Sequence, residues 1–221
     1  MLHIEELSAS YGEAKVLTSA GLSVAQGEVA TLCGRNGAGK TTLLRCVMGL
    51  HPGSGKVSLN GTDLRGRKPF ERARLGLGWV PDDRGAYATL TVAESLALPP
   101  MRSGWSLEQI YEAFPNLYAR RGSMSTKLSG GEQQMLALAR ALRMGSRVLL
   151  CDEPTEGLSP LLVQRVGEIL RQAKQQGIAV LLVEQNLHFA AEVADSYYLL
   201  ASGRVQQTSP ADKDLLTYLG V

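Results

Sequence analysis

The segment Gly34 to Thr41 has the sequence GRNGAGKT and stands between a short apolar run and a stretch of helical character. A glycine-rich loop between a strand and a helix turns its backbone amides inward around phosphate oxygens, and the positive end of the helix adds to that attraction. In such a loop Lys40 supplies a charge to the terminal phosphates and the Thr41 hydroxyl coordinates Mg²⁺. The alternative is a glycine-rich turn with an incidental lysine.

Three short apolar runs are bounded by polar or glycine residues: Val29–Cys33, Val148–Cys151 and Ala179–Val183. Continuous apolar runs of this length are typical of parallel strands that are covered on both faces. Between the last two runs, Pro160 to Gln176 has a helical pattern, and Gly177 stands where a helix would stop. This alternation predicts an α/β fold with a mainly parallel sheet.

Two further regions complete the predicted architecture. Near the amino terminus, short strand patterns at Ile4–Leu7, Leu22–Val24 and Lys56–Leu59 predict an antiparallel element. Capping boxes, in which two side chains satisfy free amides at a helix start, begin at three positions of a later segment without good strands: Thr91, Ser106 and Ser129. We expect one domain over 1–221, with a core of 1–81 and 143–221 and a helical subdomain at 82–142.

Composition bounds the class of protein. The 221 residues carry a net charge of +2, are 44% apolar and only 5% aromatic. These values argue against long disorder and against a dedicated nucleic-acid binder, and we expect no nucleic-acid partner. The apolar runs reach about five residues where a membrane span needs about 20, so we expect a cytoplasmic-type chain with any membrane role exercised through a partner. Its three scattered cysteines are expected to be buried, inert thiols.

Asp152 and Glu153 come at the end of a predicted strand. A carboxylate here can hold Mg²⁺, and a second can polarise the attacking water in phosphoryl transfer. The alternative reading is a pair of solvated acids. A third feature, Leu128 to Gln134 with the sequence LSGGEQQ, is a capped helix start with two glycines. It is either another anion site or an ordinary helix start, and physical reasoning alone does not choose between them.

The phosphate loop, the LSGGEQQ string and the strand end with Asp152 and Glu153 follow one another in this order along the chain. In this order and at these separations they resemble the ATP-binding cassette (ABC) ATPases, with residues 128–134 as the family signature. The resemblance runs from about residue 2 to the end of the chain. It implies a P-loop NTPase core, ATP and Mg²⁺ as ligands, and a head-to-tail dimer with two sandwiched ATP molecules. The signature residues would meet the nucleotide of the other subunit, and they are Ser129, Gly130, Gly131 and Glu132.

The resemblance also assigns roles one position at a time. Tyr11 matches the aromatic that stacks on adenine, and Val16 would line the same pocket. The other ATP contacts would come from the phosphate loop: Asn36, Gly37, Ala38, Gly39, Lys40, Thr41 and Thr42. The catalytic residues would be Glu153 as water activator, Lys40, and Gln185 as a positioning residue.

At several positions the chain departs from the common family pattern. Gln185 stands where most members have a histidine, and an amide can hydrogen-bond a phosphate but cannot carry a proton as an imidazole can. Asp82 stands where most have a glutamine, and it would join Thr41 and Asp152 as a metal ligand, acting through water. Ser159 stands where many have an aspartate. His188 lies near Gln185, but we expect it to be a surface or helix-start residue.

The same departures are similar to the ATPases of branched-chain amino acid importers, most of all the second, shorter ATPase of each pair. So are Phe114 to Leu117 (FPNL), Pro154 to Leu158 (PTEGL) and Tyr218 to Gly220 (YLG). Importers of urea, amides and aromatic acids share this pattern. The resemblance implies a second cassette ATPase or a homodimer, two membrane-spanning permease subunits, a solute-binding protein acting indirectly, and a peripheral location at the cytoplasmic face of the inner membrane.

Two other classes are weighed against transport. Soluble ABC-type ATPases act in DNA repair, chromosome organisation and translation. They usually carry a long coiled-coil insertion, a second ATPase domain or basic extensions, and we expect none of these from the 221 residues. A nucleotide-binding regulator without turnover fits less well, because Lys40, Thr41, Asp152 and Glu153 are all in place.

Overall fold

The computed structural model describes residues 1–85, 87–98 and 104–209. The strands in this part of the chain are β1 (Leu2–Tyr11), β2 (Ala14–Val24), β3 (Val29–Cys33), β4 (Ser54–Leu59), β5 (Thr62–Asp63), β6 (Leu77–Val80), β7 (Val148–Asp152), β8 (Ala179–Val183), β9 (Ser196–Ala201) and β10 (Arg204–Thr208). The α-helices are α1 (Lys40–Met48), α2 (Pro69–Leu75), α3 (Val92–Ala97), α4 (Leu107–Ala113), α5 (Pro115–Ala119), α6 (Gly130–Arg143), α7 (Pro160–Gln175) and α8 (Leu187–Val193). A short 3₁₀ helix lies at Ser125–Lys127.

The larger sheet has the strand order β10-β9-β3-β8-β7-β6. Its inner pairs are parallel, and only the pairing of β10 with β9 is antiparallel. This confirms the predicted mainly parallel sheet. Because carboxyl ends of parallel strands meet at one edge, the residues that follow β3, β7 and β8 come together there.

The side chains of the central strands alternate between two apolar clusters. Leu149 and Cys151 of β7 face the cluster that contains α6, α7 and α8, whereas Val148 and Leu150 face the cluster that contains α1 and the antiparallel sheet. Every residue of β7 is buried, as expected for a strand that is covered on both faces. The larger sheet is therefore the middle layer of the molecule.

The antiparallel element is a sheet with the order β2-β1-β4-β5. Its first two strands extend well beyond the predicted fragments, to 10 and 11 residues, and their pairing is interrupted by irregular registers. The middle of the chain is helical as predicted: the described residues of 82–142 hold helices and no strand longer than the bridge between Thr91 and Met124. None of the described helices combines the length and apolar character that crossing a membrane requires.

All three predicted capping boxes form. The side chains of Thr91, Ser106 and Ser129 each accept a hydrogen bond from the backbone amide three residues on. The helices that follow share one apolar cluster with the larger sheet, so this segment packs against the sheet instead of forming a separate core. The exact division into core and subdomain stays a prediction, and Tyr218 to Gly220 lie outside the described residues.

Candidate nucleotide and metal site

The phosphate loop joins β3 to α1 at the carboxyl edge of the larger sheet. Gly39, at the start of α1, has φ = 107°, a left-handed conformation that favours glycine. A Cβ at this position would lie 2.8 Å from Val16 Cγ1. The close fit places Val16 of β2 directly against the loop, and its role in the nucleotide pocket stays a prediction.

Lys40 is buried, and its ammonium group lies inside the loop. Its Nζ donates to the carbonyl oxygens of Gly34 and Arg35 at 2.8 Å and 3.2 Å. It also forms an ion pair with Glu153 Oε1 at 3.3 Å. The sheet edge thus brings together the lysine of the first motif and the second carboxylate of the strand-end pair.

Asp152 ends β7 with a fully buried side chain. Neither carboxylate oxygen has a hydrogen-bond partner of normal geometry among the described residues. Burial raises the pKa of Asp152 to about 6; the nearby Thr41 hydroxyl lowers it, and the like charges of Asp82 and Glu153 raise it. A fully buried carboxylate with so few donors is costly, and a cation or a further donor would reduce that cost.

The same residues fit Mg²⁺. Thr41 and Asp82 both act electrostatically on Asp152, so the three predicted ligands lie in one neighbourhood, with Asp82 exposed to solvent. No group of three His, Cys, Asp or Glu side chains suited to a metal ion occurs in the described part of the chain. Mg²⁺ is usually held by one or two carboxylates together with substrate phosphates, and this sparse set of oxygens matches that mode.

Gln185 follows β8 by two positions and faces Glu153. Its amide Nε2 donates to both carboxylate oxygens of Glu153, at 2.8 Å each. Glu153 itself has φ = 45°, and its backbone amide donates to the Val183 carbonyl oxygen at 2.9 Å. The position that departs from the family pattern therefore orients the predicted water activator.

Tyr11 ends β1 with about half of its side chain exposed, as a surface for a planar ligand requires. Its ring stacks on the His51 imidazole, with centroids 4.2 Å apart and planes inclined by 30°. His51 Nε2 also lies 3.1 Å from the Ser10 carbonyl oxygen. Sequence reasoning missed His51, and no local signal marks it, because the contact joins β1 to the loop after α1.

The signature residues begin α6. Ser129 and Glu132 form the capping box, in which Glu132 Oε2 accepts from the Ser129 amide at 2.8 Å. The two glycines have a packing role that sequence reasoning missed. A Cβ on Gly130 would come within 2.6 Å of the Arg84 guanidinium, and one on Gly131 within 2.5 Å of Leu162.

The segment around Asp82 is held on the same helix. Arg84 has φ = 67°, and its guanidinium lies against Gly130 at the start of α6. From the far end of α6, Arg140 donates to the Gly85 carbonyl oxygen at 2.7 Å and lies 4.0 Å over the Tyr87 ring. His188, the alternative to Gln185, is the exposed second residue of α8, as expected.

Fold and site together define an α/β ATPase whose phosphate loop faces paired carboxylates at the edge of a parallel sheet. The model of the ABC transporter family matches residues 17–156. The chain belongs to this family, as one of its ATP-binding ATPases. A solved structure described as the ATP-binding subunit of an ABC transporter has a TM-score of 0.86 and 27% identity, with 100% of both chains covered.

Curated relatives cover nearly the whole chain. The high-affinity branched-chain amino acid transport ATP-binding protein BraG of Pseudomonas aeruginosa is 37% identical over 93% of this chain and 91% of its own length. The probable branched-chain amino acid transport ATP-binding protein LivF of Archaeoglobus fulgidus is 36% identical over 96% and 93%. The lipopolysaccharide export ATP-binding protein LptB of Acidithiobacillus ferridurans is 34% identical over 93% and 88%.

Proposed function

We propose that this ATPase energises the uptake of branched-chain amino acids, or of a related small polar solute, through separate membrane subunits. The observation that carries the proposal is the similarity to BraG and LivF over nearly the full length of all three chains. The motif with Gln185 and the strings PTEGL and FPNL support the importer subgroup.

In the proposed reaction, the phosphate loop and Lys40 bind the β- and γ-phosphates of ATP. Phosphate oxygens compete with Glu153 and the two carbonyl groups for the Lys40 ammonium, so binding exchanges these contacts. Glu153 then accepts the proton of the attacking water, while the Gln185 amide holds its carboxylate in place.

Thr41, Asp152 and Asp82 would hold Mg²⁺. The ion would neutralise charge on the β- and γ-phosphates. Tyr11 would stack on adenine, with Val16 beside it, and the other loop residues from Asn36 to Thr42 would cradle the phosphates.

The proposed assembly is a head-to-tail dimer with a second cassette ATPase or with another copy of this chain. In it, Ser129, Gly131 and their neighbours in the signature would contact the ATP bound to the partner. Two permease subunits would sit above the dimer at the cytoplasmic face of the inner membrane, and a solute-binding protein would deliver the solute to them.

A groove supports the contact with the permease. A cavity of about 350 Å³ lies between β6 and α6, and its lining includes Trp79, Leu98, Tyr87, Arg140 and Met144. It adjoins the Asp82 segment, which we propose passes the motion of the ATPase to a cytoplasmic segment of the permease. An amphipathic helix with an acidic residue would fit the apolar lining and the arginines of this groove.

The test is co-purification from detergent-solubilised membranes of the source cell, followed by uptake of radiolabelled leucine in cells that lack this chain. Two multi-spanning proteins and a second cassette ATPase should co-purify, and the intact chain should restore uptake whereas a Glu153→Gln variant should not. Recovery with ribosomes or nucleic acid, or leucine uptake that is unaffected by loss of the chain, would overturn the transport assignment.

A further inference from the structure

Glu184 is a buried carboxylate whose contacts lie beside the site. Its side chain is 3% exposed. Oε1 accepts from the Thr155 hydroxyl at 2.6 Å and from the Thr155 amide at 3.1 Å. Oε2 accepts from the backbone amides of Gln185 and Asn186 at 3.2 Å and 3.3 Å. Both oxygens are thus fully engaged by donors.

No lysine, arginine or histidine in the described part of the chain forms an ion pair with Glu184. Burial raises its pKa, and the hydrogen bonds from Thr155 and Asn186 oppose that rise. A buried charge without a counter-ion is costly, and an apolar residue after β8 would avoid that cost. The carboxylate therefore needs an explanation other than packing.

The contacts of Glu184 close a ring through the site. Thr155 lies two residues after Glu153, and Gln185 follows Glu184 directly. The ring runs from Glu153 along the chain to Thr155, and through the Thr155 hydroxyl to Glu184. It continues along the chain to Gln185 and closes through the hydrogen bond that the Gln185 side-chain amide donates to the Glu153 carboxylate. Any shift between the loops after β7 and β8 would alter the geometry of that last contact.

We propose that Glu184 is a positioning residue for ATP hydrolysis: it locks the loops after β7 and β8 so that the Gln185 amide is aimed at Glu153. The inference rests on the roles proposed above for Glu153 and Gln185. It adds a residue that touches neither nucleotide nor water and acts through two hydrogen-bonded neighbours.

The main test is Glu184→Gln in the whole chain. This substitution keeps the shape of the side chain, but it replaces one accepting oxygen by an NH₂ group that faces backbone N–H donors. We expect kcat to fall about 10- to 100-fold, with MgATP affinity within about threefold of the original chain, because orientation of the catalytic carboxylate is lost while the phosphate loop is untouched. Glu192→Gln, which changes an exposed carboxylate on α8, is the matched control and should leave kcat unchanged.

Thr155 provides a second, conservative series. Thr155→Ser keeps the hydroxyl and should keep kcat, whereas Thr155→Val removes it and should lower kcat several-fold. Because both partners belong to one contact, the double variant Thr155→Val/Glu184→Gln should lose much less than the product of the single losses. Fully multiplicative losses in kcat would contradict the proposed ring.

A readout independent of activity comes from amide hydrogen exchange. The amides of Thr155, Gln185 and Asn186 should exchange about tenfold faster in Glu184→Gln, while those of α7 are unchanged. If kcat and these exchange rates both match the original chain, or if only the melting temperature falls, the inference is wrong. Leucine uptake that is unaffected by loss of the chain, together with a reduced kcat for ATP hydrolysis in Glu184→Gln, would overturn the transport assignment but not the role of Glu184.

Discussion

The amide nitrogen of Gln185 lies 2.8 Å from both oxygens of the Glu153 carboxylate. An amide in this position donates hydrogen bonds without taking up or releasing a proton, so it can orient the Glu153 carboxylate without itself acting as an acid or a base. The Lys40 ammonium lies 3.3 Å from Oε1 of the same carboxylate. The carboxylate is therefore held by two partners, the side-chain amide of Gln185 and the ammonium group of Lys40.

The role of Glu153 is tested by Glu153→Gln. Hydrolysis should fall at least about 100-fold because the general base is lost, while ATP binding persists and favours a closed dimer. Phosphate release, nucleotide binding and dimer formation by light scattering measure the three effects. Glu156→Gln, three residues on and exposed, is the control. Undiminished turnover in Glu153→Gln would remove Glu153 from its assigned role.

Lys40→Ala should weaken MgATP binding about 10- to 100-fold, because it removes the buried cation from the phosphate loop. Titration calorimetry measures this directly. Lys56→Ala removes a lysine with an exposed ion partner, Glu5, and should leave affinity unchanged. Tight MgATP binding by Lys40→Ala would count against the phosphate-loop assignment.

Asp152→Asn should raise the melting temperature in EDTA by several degrees, at about 2–4 °C per kcal/mol for a chain of this size, because a neutral group replaces a fully buried carboxylate whose pKa burial raises to about 6. The variant should also gain less stability from MgATP than the original chain, since a metal ligand is lost. Asp63→Asn, at an exposed ion pair with Arg65, is the comparison. A lower melting temperature for Asp152→Asn in EDTA would show that the carboxylate has a stabilising partner.

The three buried thiols predict how thiol reactivity and the stability of the fold depend on pH. Burial raises the pKa of Cys33 and of Cys46 to about 11, and it also raises that of Cys151. At pH 8 iodoacetamide should therefore modify the folded chain at least about 100-fold more slowly than the chain in urea. As the pH rises above about 9, unfolded thiols ionise first, so stability should fall toward pH 11. Rapid labelling of the folded chain at pH 8 would contradict their burial.

Local sequence patterns are sufficient to predict much of the fold. The runs at Val29–Cys33 and Ala179–Val183 form strands with the predicted bounds, since continuous apolar runs need two covering layers. The outer strands β9 and β10 were not identified. In β10 the residues are mostly exposed and polar, and pairing with β9, instead of an apolar pattern, makes it a strand.

In the candidate site, too, some residues are predictable from local motifs and others are not. The sequence predicts the phosphate loop and Asp152 because each belongs to a motif of consecutive residues. Glu184, His51 and Arg84 were not assigned roles, because each acts through partners distant in the chain: Thr155, Tyr11 and Gly130. Only the packing of β1, β7, β8 and α6 creates those neighbours, and no spacing rule in the sequence encodes them.

Two arginine side chains connect α6 to the segment that follows Asp82. The Arg84 guanidinium lies against Gly130, the first residue of α6. Near the end of α6, Arg140 contacts Gly85 and Tyr87. The segment that follows Asp82 is therefore attached to α6 near both ends of the helix. In the metal site and the dimer proposed above, a displacement of Asp82 would be transmitted along α6 to Gly130 and Gly131, and so toward the nucleotide of the other subunit.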